Sequence, residues 1–260
     1  MATTRWTKDQ LKLAFHLYCQ LPFGKLHSKN PEIIKLAQLL DRTPSAVAMK
    51  LSNFASLDPA ITGTGRKGLG GASNLDREVW SEFHADWETL ALESEMLRSN
   101  LDANAATSDE TDELLDPVDY SGETKQVLIE QRIKQNFFRR AVLSSYRGRC
   151  CMSGLSEPRL LIASHIVPWS KDQQNRLNPS NGLCLSAIHD RAFDKGLITL
   201  SDDFRIVISE ELKRLDEIFV KKVLLPLDGK PIELPERFMP SIEFISHHRS
   251  NLFVDNQKNK

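Results

Sequence analysis

Between His165 and Asp194 the sequence gathers side chains suited to hydrolytic chemistry: His165 and His189, the amide Asn181, and the carboxylates Asp190 and Asp194. Cleaving a phosphodiester at neutral pH requires an activated water, charge neutralisation on the phosphate and stabilisation of the departing 3′ oxygen. A histidine and a metal can divide those tasks. His165 can be neutral at pH 7 and take a proton from water. A hard divalent ion, Mg2+ in the first place and Mn2+ in the second, is held by few protein groups and several waters and can bridge phosphate and leaving oxygen. His189, Asp190 and Asp194 share one short segment and are its candidate ligands. Asn181 carries both a donor and an acceptor, so it can hydrogen-bond across the loop and hold the His165 backbone or ring in place.

The flanking sequence supplies elements to position these groups. RLLIASHIVPW reads as a strand that delivers His165, followed by a polar loop from Ser170 to Ser180 and a second strand, NGLCLS. The segment from Ala187 to Lys195 then reads as a short helix stopped by Gly196. Strand, loop, strand and helix in that order make a ββα module. GLITL and FRIVIS, around Ser201, Asp202 and Asp203, read as a hairpin on its flank.

Further upstream the pattern is helical. Thr7 and Gln10 form a capping box for a helix with Leu11, Ala14, Phe15 and Tyr18 on one face. Asn30–Pro31 and Thr43–Pro44 repeat a cap-then-proline start for two more helices, a helix-turn-helix-like pair separated by Asp41, Arg42 and Thr43. Lys50 and Asn53 on the third helix are candidates for DNA contact. A fourth helix is expected from Asn74, with Trp80, Phe83, Trp87 and Leu90 facing the core. Residues 63–73 are too glycine-rich for a regular element. The expected fold is therefore α+β: a helical domain over 1–100 for DNA recognition or dimerisation, an acidic linker over 101–125 and a ββα domain over 126–260.

At 260 residues and 40% hydrophobic content the chain can bury a real core, while its net charge of −1 does not by itself mark a nucleic-acid binder. The charge is unevenly distributed. Acids dominate from Leu101 to Lys125, and bases from Gln126 to Cys150, where Arg139 and Arg140 are candidate phosphate contacts, joined by Arg191 downstream. No apolar run is long enough for a membrane helix and the polar N-terminus lacks a signal-peptide core, so no membrane partner and a cytoplasmic location are expected. The four cysteines, Cys19, Cys150, Cys151 and Cys184, form neither a disulfide framework nor a complete zinc site.

SHIVPW followed by NGLCLSAIHDRAFDKG resembles the HNH (ββα-metal) endonuclease family, in particular its branch of bacterial restriction endonucleases. The similarity runs from about Phe137 to Val254, with a looser tail around LPERFMP and HHRSNLF. The ordered set His165, Pro168, Asn181, His189, Arg191, Phe193, Asp194 and Gly196 carries it. The resemblance implies His165 as general base, Asn181 as structural asparagine and the His189/Asp190 corner as metal ligand. This sequence departs from the pattern in two places. Ser164 stands where many members place an aspartate or histidine ligand, and CCMSG and LCLSAIH each lack the second cysteine of a zinc-binding pair, so no structural zinc is expected.

The expectation is a metal-dependent DNA endonuclease leaving 5′-phosphate and 3′-hydroxyl ends, with restriction or host defence as its setting by analogy. A single ββα module cuts one strand, and a homodimer would be needed to cut two. The alternatives are a non-catalytic DNA-binding regulator with a decayed module and an RNA-directed nuclease. His16, His27, His84, His247 and His248 lie outside any such pattern and read as structural.

Overall fold

The computed structural model describes residues 5–63, 65, 68–102 and 122–257. Most of the acidic stretch read as a linker, and the pair Arg66 and Lys67, lie outside them. The chain divides into two compact units, Met1–Phe137 and Phe138–Lys260. The division falls inside the helix Gly122–Ser145.

Among the described residues the regular elements of the first unit are helices, among them α1 Lys8–Gln20, α2 Pro31–Leu39, α3 Pro44–Ala55, α4 Pro59–Thr62, α5 Asn74–Ala85 and α6 Trp87–Asp102. The start signals act as the sequence indicates. Thr7 and Gln10 close the capping box on α1, Asn30 accepts from the Glu32 amide, and Thr43 accepts from the Ala46 amide. Asp41 adopts the left-handed conformation, φ 50°, and turns the chain between α2 and α3. Phe15 is the hub of the core, packing edge-on against Phe54, Trp80 and Phe83.

Two expectations for this unit need correction. The helix from Asn74 does not run through Trp87, because Asp86 leaves helical geometry and its carboxylate accepts from the Glu88 and Thr89 amides, restarting the chain as α6. Lys50 and Asn53 do not form a base-reading face. Lys50 Nζ bonds both carboxylate oxygens of the buried Asp76 at 3.0 Å, and Asn53, 5% exposed, donates to the Gly71 carbonyl. Lys50 thus ties α3 to the first turn of α5, and Asn53 ties it to the segment before α5. The exposed positions of α3 include Ser45 and Met49, neither of them cationic.

Helix α7, Gly122–Ser145, contributes its last residues to the second unit, where Phe138, Ala141 and Val142 are buried. Strand β1, Leu161–His165, pairs antiparallel with β2, Gly182–Ser186, setting His165 opposite Gly182 and Ala163 opposite Cys184. A Cβ on Gly182 would sit 2.4 Å from Val142 Cγ2, so the absent side chain lets α7 close over the hairpin. Helix α8, Ala187–Asp194, follows β2 without a loop and ends at Gly196, φ 66°. The flanking hairpin is β3, Ile198–Leu200, and β4, Ile206–Ile208, paired Ile198 to Ile208. Short α9, Glu210–Lys213, an irregular stretch, α10, Ile242–Asn251, and α11, Val254–Gln257, complete the unit. The fold is α+β, with the ββα arrangement in the C-terminal half.

Candidate active site

His165 ends β1 with its ring half-buried and held on three sides. The ring stacks on Phe138 at 3.9 Å between centroids and 7° between planes, and Trp169 meets it edge-on at 5.4 Å. Its Nε2 donates to the main-chain carbonyl of Arg176 at 2.9 Å. A carbonyl only accepts, so this bond fixes the proton of the neutral ring on Nε2 and leaves the lone pair on Nδ1. Burial lowers the imidazole pKa below its usual value, partly offset by the Arg176 carbonyl. The neutral, proton-accepting form therefore dominates at neutral pH.

Asn181, 1% exposed, holds the loop that closes this pocket. Its side-chain oxygen accepts from the Val167 amide at 2.8 Å, while its amide donates to the carbonyls of Val167 and Asn175. The loop itself is organised by a chain of short polar side chains. Asp172 accepts from the Gln174 and Asn175 amides, Asn178 donates to Asn175, and Asn178 in turn accepts from Ser180. What looks like an unstructured polar stretch in sequence is a hydrogen-bonded frame that delivers the Arg176 carbonyl to His165.

The three residues expected to hold a metal divide into two groups. His189 is 3% exposed, with Nδ1 2.8 Å from the Ser186 hydroxyl and 3.5 Å from Cys150 Sγ. Burial alone would raise the Cys150 thiol, but hydrogen bonds from His189, Ser153 and the local backbone outweigh it and bring the pKa to about 6. Thus Ser153, three residues after Cys150, and Ser186, three residues before His189, place hydroxyls around a thiol and an imidazole. The imidazole is buried with its Ser186 and Cys150 contacts both on Nδ1, while its Nε2 has no hydrogen-bond partner among the described residues. Among the described residues no three His, Cys, Asp or Glu side chains are grouped to hold a metal ion.

Asp190 and Asp194 lie one turn apart, on the same face of α8. Burial raises the Asp190 carboxyl, opposed by Ser164 and Arg191, and burial together with the Asp190 charge raises Asp194. Ser164 is 2% exposed and faces Asp190 closely enough to favour its charged form, yet its hydroxyl makes no full hydrogen bond. Two carboxylates whose ionisation is disfavoured by burial, and at Asp194 also by the Asp190 charge, stand beside an unsatisfied buried hydroxyl as hard oxygen donors that a divalent cation would satisfy. One or two carboxylates with waters and substrate phosphate are what Mg2+ takes. The residues present fit the ion.

Of the expected phosphate contacts, Arg139 is committed to structure: it donates to the carbonyls of Leu161 at 2.8 Å and Pro158 at 3.3 Å and braces the start of β1. Arg140 on α7 and Arg191 on α8 are exposed. Sequence reasoning missed Phe138, Trp169 and Arg176 as partners of His165. Trp169 lies within the recognised SHIVPW string, whereas nothing in residue type or spacing marks the Arg176 carbonyl. Residues 150–201 match the HNH endonuclease family model. No curated protein matches the chain. The C-terminal half thus carries an HNH module.

Proposed function

From this HNH module we propose that the chain is a metal-dependent endonuclease that hydrolyses DNA to 5′-phosphate and 3′-hydroxyl ends, with restriction or defence as its role. The observation that carries the reading is the 2.9 Å bond from His165 Nε2 to the Arg176 carbonyl, which reserves Nδ1 for a proton. In this reading Nδ1 takes a proton from water as the water oxygen bonds phosphorus and the P–O3′ bond breaks. Phe138 and Trp169 keep the ring from rotating, and Asn181 fixes the loop that supplies the carbonyl. Asp190 and Asp194, with Ser164 through its hydroxyl or a water, would hold the divalent ion. When bound, that ion neutralises phosphate charge and stabilises the leaving oxygen. Arg140 and Arg191 are the exposed cations of this unit proposed to meet the DNA backbone.

The test is supercoiled plasmid incubated with the protein and Mg2+ or Mn2+, with and without EDTA. Nicked or linear product that disappears with EDTA and in His165→Ala supports the proposal. Intact plasmid under every metal condition favours a DNA-binding protein with an inactive module, a reading to which Ser164 lends itself, and preferential loss of structured RNA would reassign the substrate.

A further inference from the structure

Arg176 joins two parts of the pocket. Its main-chain carbonyl anchors His165, while its guanidinium turns back along the loop, donating from Nε to the Trp169 carbonyl at 3.0 Å and lying over the Trp169 ring at 5.3 Å from the centroid. The edge of that pocket is the same Trp169 ring that meets His165 at 5.4 Å. His165, Arg176 and Trp169 therefore touch one another in a closed ring. The guanidinium is oriented through Nε and the ring face, and among the described residues its two terminal nitrogens make no hydrogen bond or ion pair. A stacked guanidinium with a free pair of parallel N–H donors is preorganised for two oxygens of one phosphate.

We propose that the Arg176 side chain, seated on Trp169, is a phosphate-binding site of the module and sets the register of the nucleic-acid backbone against Nδ1 of His165. The assignment rests on the nuclease reading for its substrate, although phosphate binding itself is separable from cleavage. Any substitution at position 176 retains the main-chain carbonyl, so the His165 anchor and the side-chain interaction can be dissected. The distinguishing signature is electrostatic: a protein that neutralises one phosphate fewer has a slope of log Kd against log salt that is shallower by about 0.9.

The experiment uses the full chain carrying His165→Ala, so that DNA survives, and measures binding of a fluorescent duplex with Mg2+ across a salt series. Adding Arg176→Gln should weaken binding about tenfold and reduce the slope by about 0.9. Arg176→Lys, which keeps the charge without the fork, should retain the slope while weakening Kd. In the cleaving protein, Arg176→Gln should leave the pH dependence of turnover unchanged. Equal Kd and slope for parent and Arg176→Gln would overturn the assignment, as would an Arg176→Lys protein that loses the slope as fully as Arg176→Gln. The lysine variant also carries the test if the glutamine variant melts early. Should the unsubstituted protein bind duplex through Arg176 yet cut no nucleic acid, the nuclease reading falls and the phosphate site stands; should it bind none, both fall.

Discussion

Cys150 and His189 meet inside the C-terminal unit, Sγ to Nδ1 at 3.5 Å, and the Ser186 hydroxyl shares that nitrogen at 2.8 Å. This contact joins the turn at 150–154 to α8 and sets where the next residue, Asp190, points. His189→Ala should therefore lower unfolding stability by about 2–4 kcal/mol, since it empties a buried position and strands two polar partners. Excess Mg2+ or Mn2+ should not restore its activity. Urea denaturation and metal titration together check this, and full rescue by metal with unchanged stability would make His189 a ligand after all.

Removing the base should separate rate from binding. His165→Ala is expected to lose about 10²- to 10⁴-fold in cleavage rate while its affinity for duplex changes little. Single-turnover cleavage and fluorescence anisotropy measure the two quantities, and a rate close to that of the unsubstituted protein would take His165 out of the chemistry.

The carboxylates should report through the metal. Their raised pKa values mean that protons compete with the ion, so apparent Mg2+ affinity should weaken as pH falls toward the acid side. Asp190→Asn or Asp194→Asn should weaken it by at least about tenfold at neutral pH. EDTA should abolish cleavage yet leave the melting temperature nearly unchanged. A large drop in melting temperature with zinc released would show instead a structural ion.

His248 should give stability an acid limb. It is buried, donates from Nε2 to the Phe193 carbonyl, bonds the Thr199 hydroxyl through Nδ1 and stacks on Phe193 at 3.7 Å. Burial, with a further push from His247, lowers its pKa to about 4. Between pH 6.5 and 4 the unfolded chain takes up a proton that the folded chain resists, so stability rises with pH across that window. Its contribution is intact above about pH 6.5 and is lost as pH falls toward 4, by roughly 3 kcal/mol at most. His248→Phe should flatten this part of the profile in chemical denaturation at a series of pH values; an unchanged slope would show that other groups carry it.

The ββα order, the histidine at the end of its strand and the asparagine behind it were legible in sequence because each rests on a local signal: β-branched and leucine runs, the cap-and-glycine boundaries, and one ordered string of polar residues. Partnerships across the fold were not legible. Lys50 and Asn53 look like an exposed polar face at helical spacing until Asp76 and the Gly71 carbonyl claim them. Arg139 looks like a solvated cation until β1 presents two carbonyls to it. His189 and Asp190 differ by one position, yet successive helical residues point about 100° apart, so only the packing of α8 tells which of them faces the core. Arg176 acts on His165 through a main-chain atom that every residue type possesses, and no pattern of side chains can announce it.

The stop after α8 bears on how this module could be inherited or transplanted. A Cβ on Gly196 would lie 1.9 Å from the Leu252 carbonyl oxygen, and the Val254 amide donates back to the Gly196 carbonyl at 3.1 Å. On the other side of the hairpin, Phe138 floors His165, and the fully buried Arg237 reaches Ser144 near the end of α7. Residues 150–201 are thus a signature without a complete interior of their own. A graft into another scaffold that carried only those residues would open the floor beneath His165 and uncover the back of α8. The smallest portable cassette is the stretch from about Phe138 to Val254, and recombination points within it should yield insoluble chains even where every signature residue is preserved.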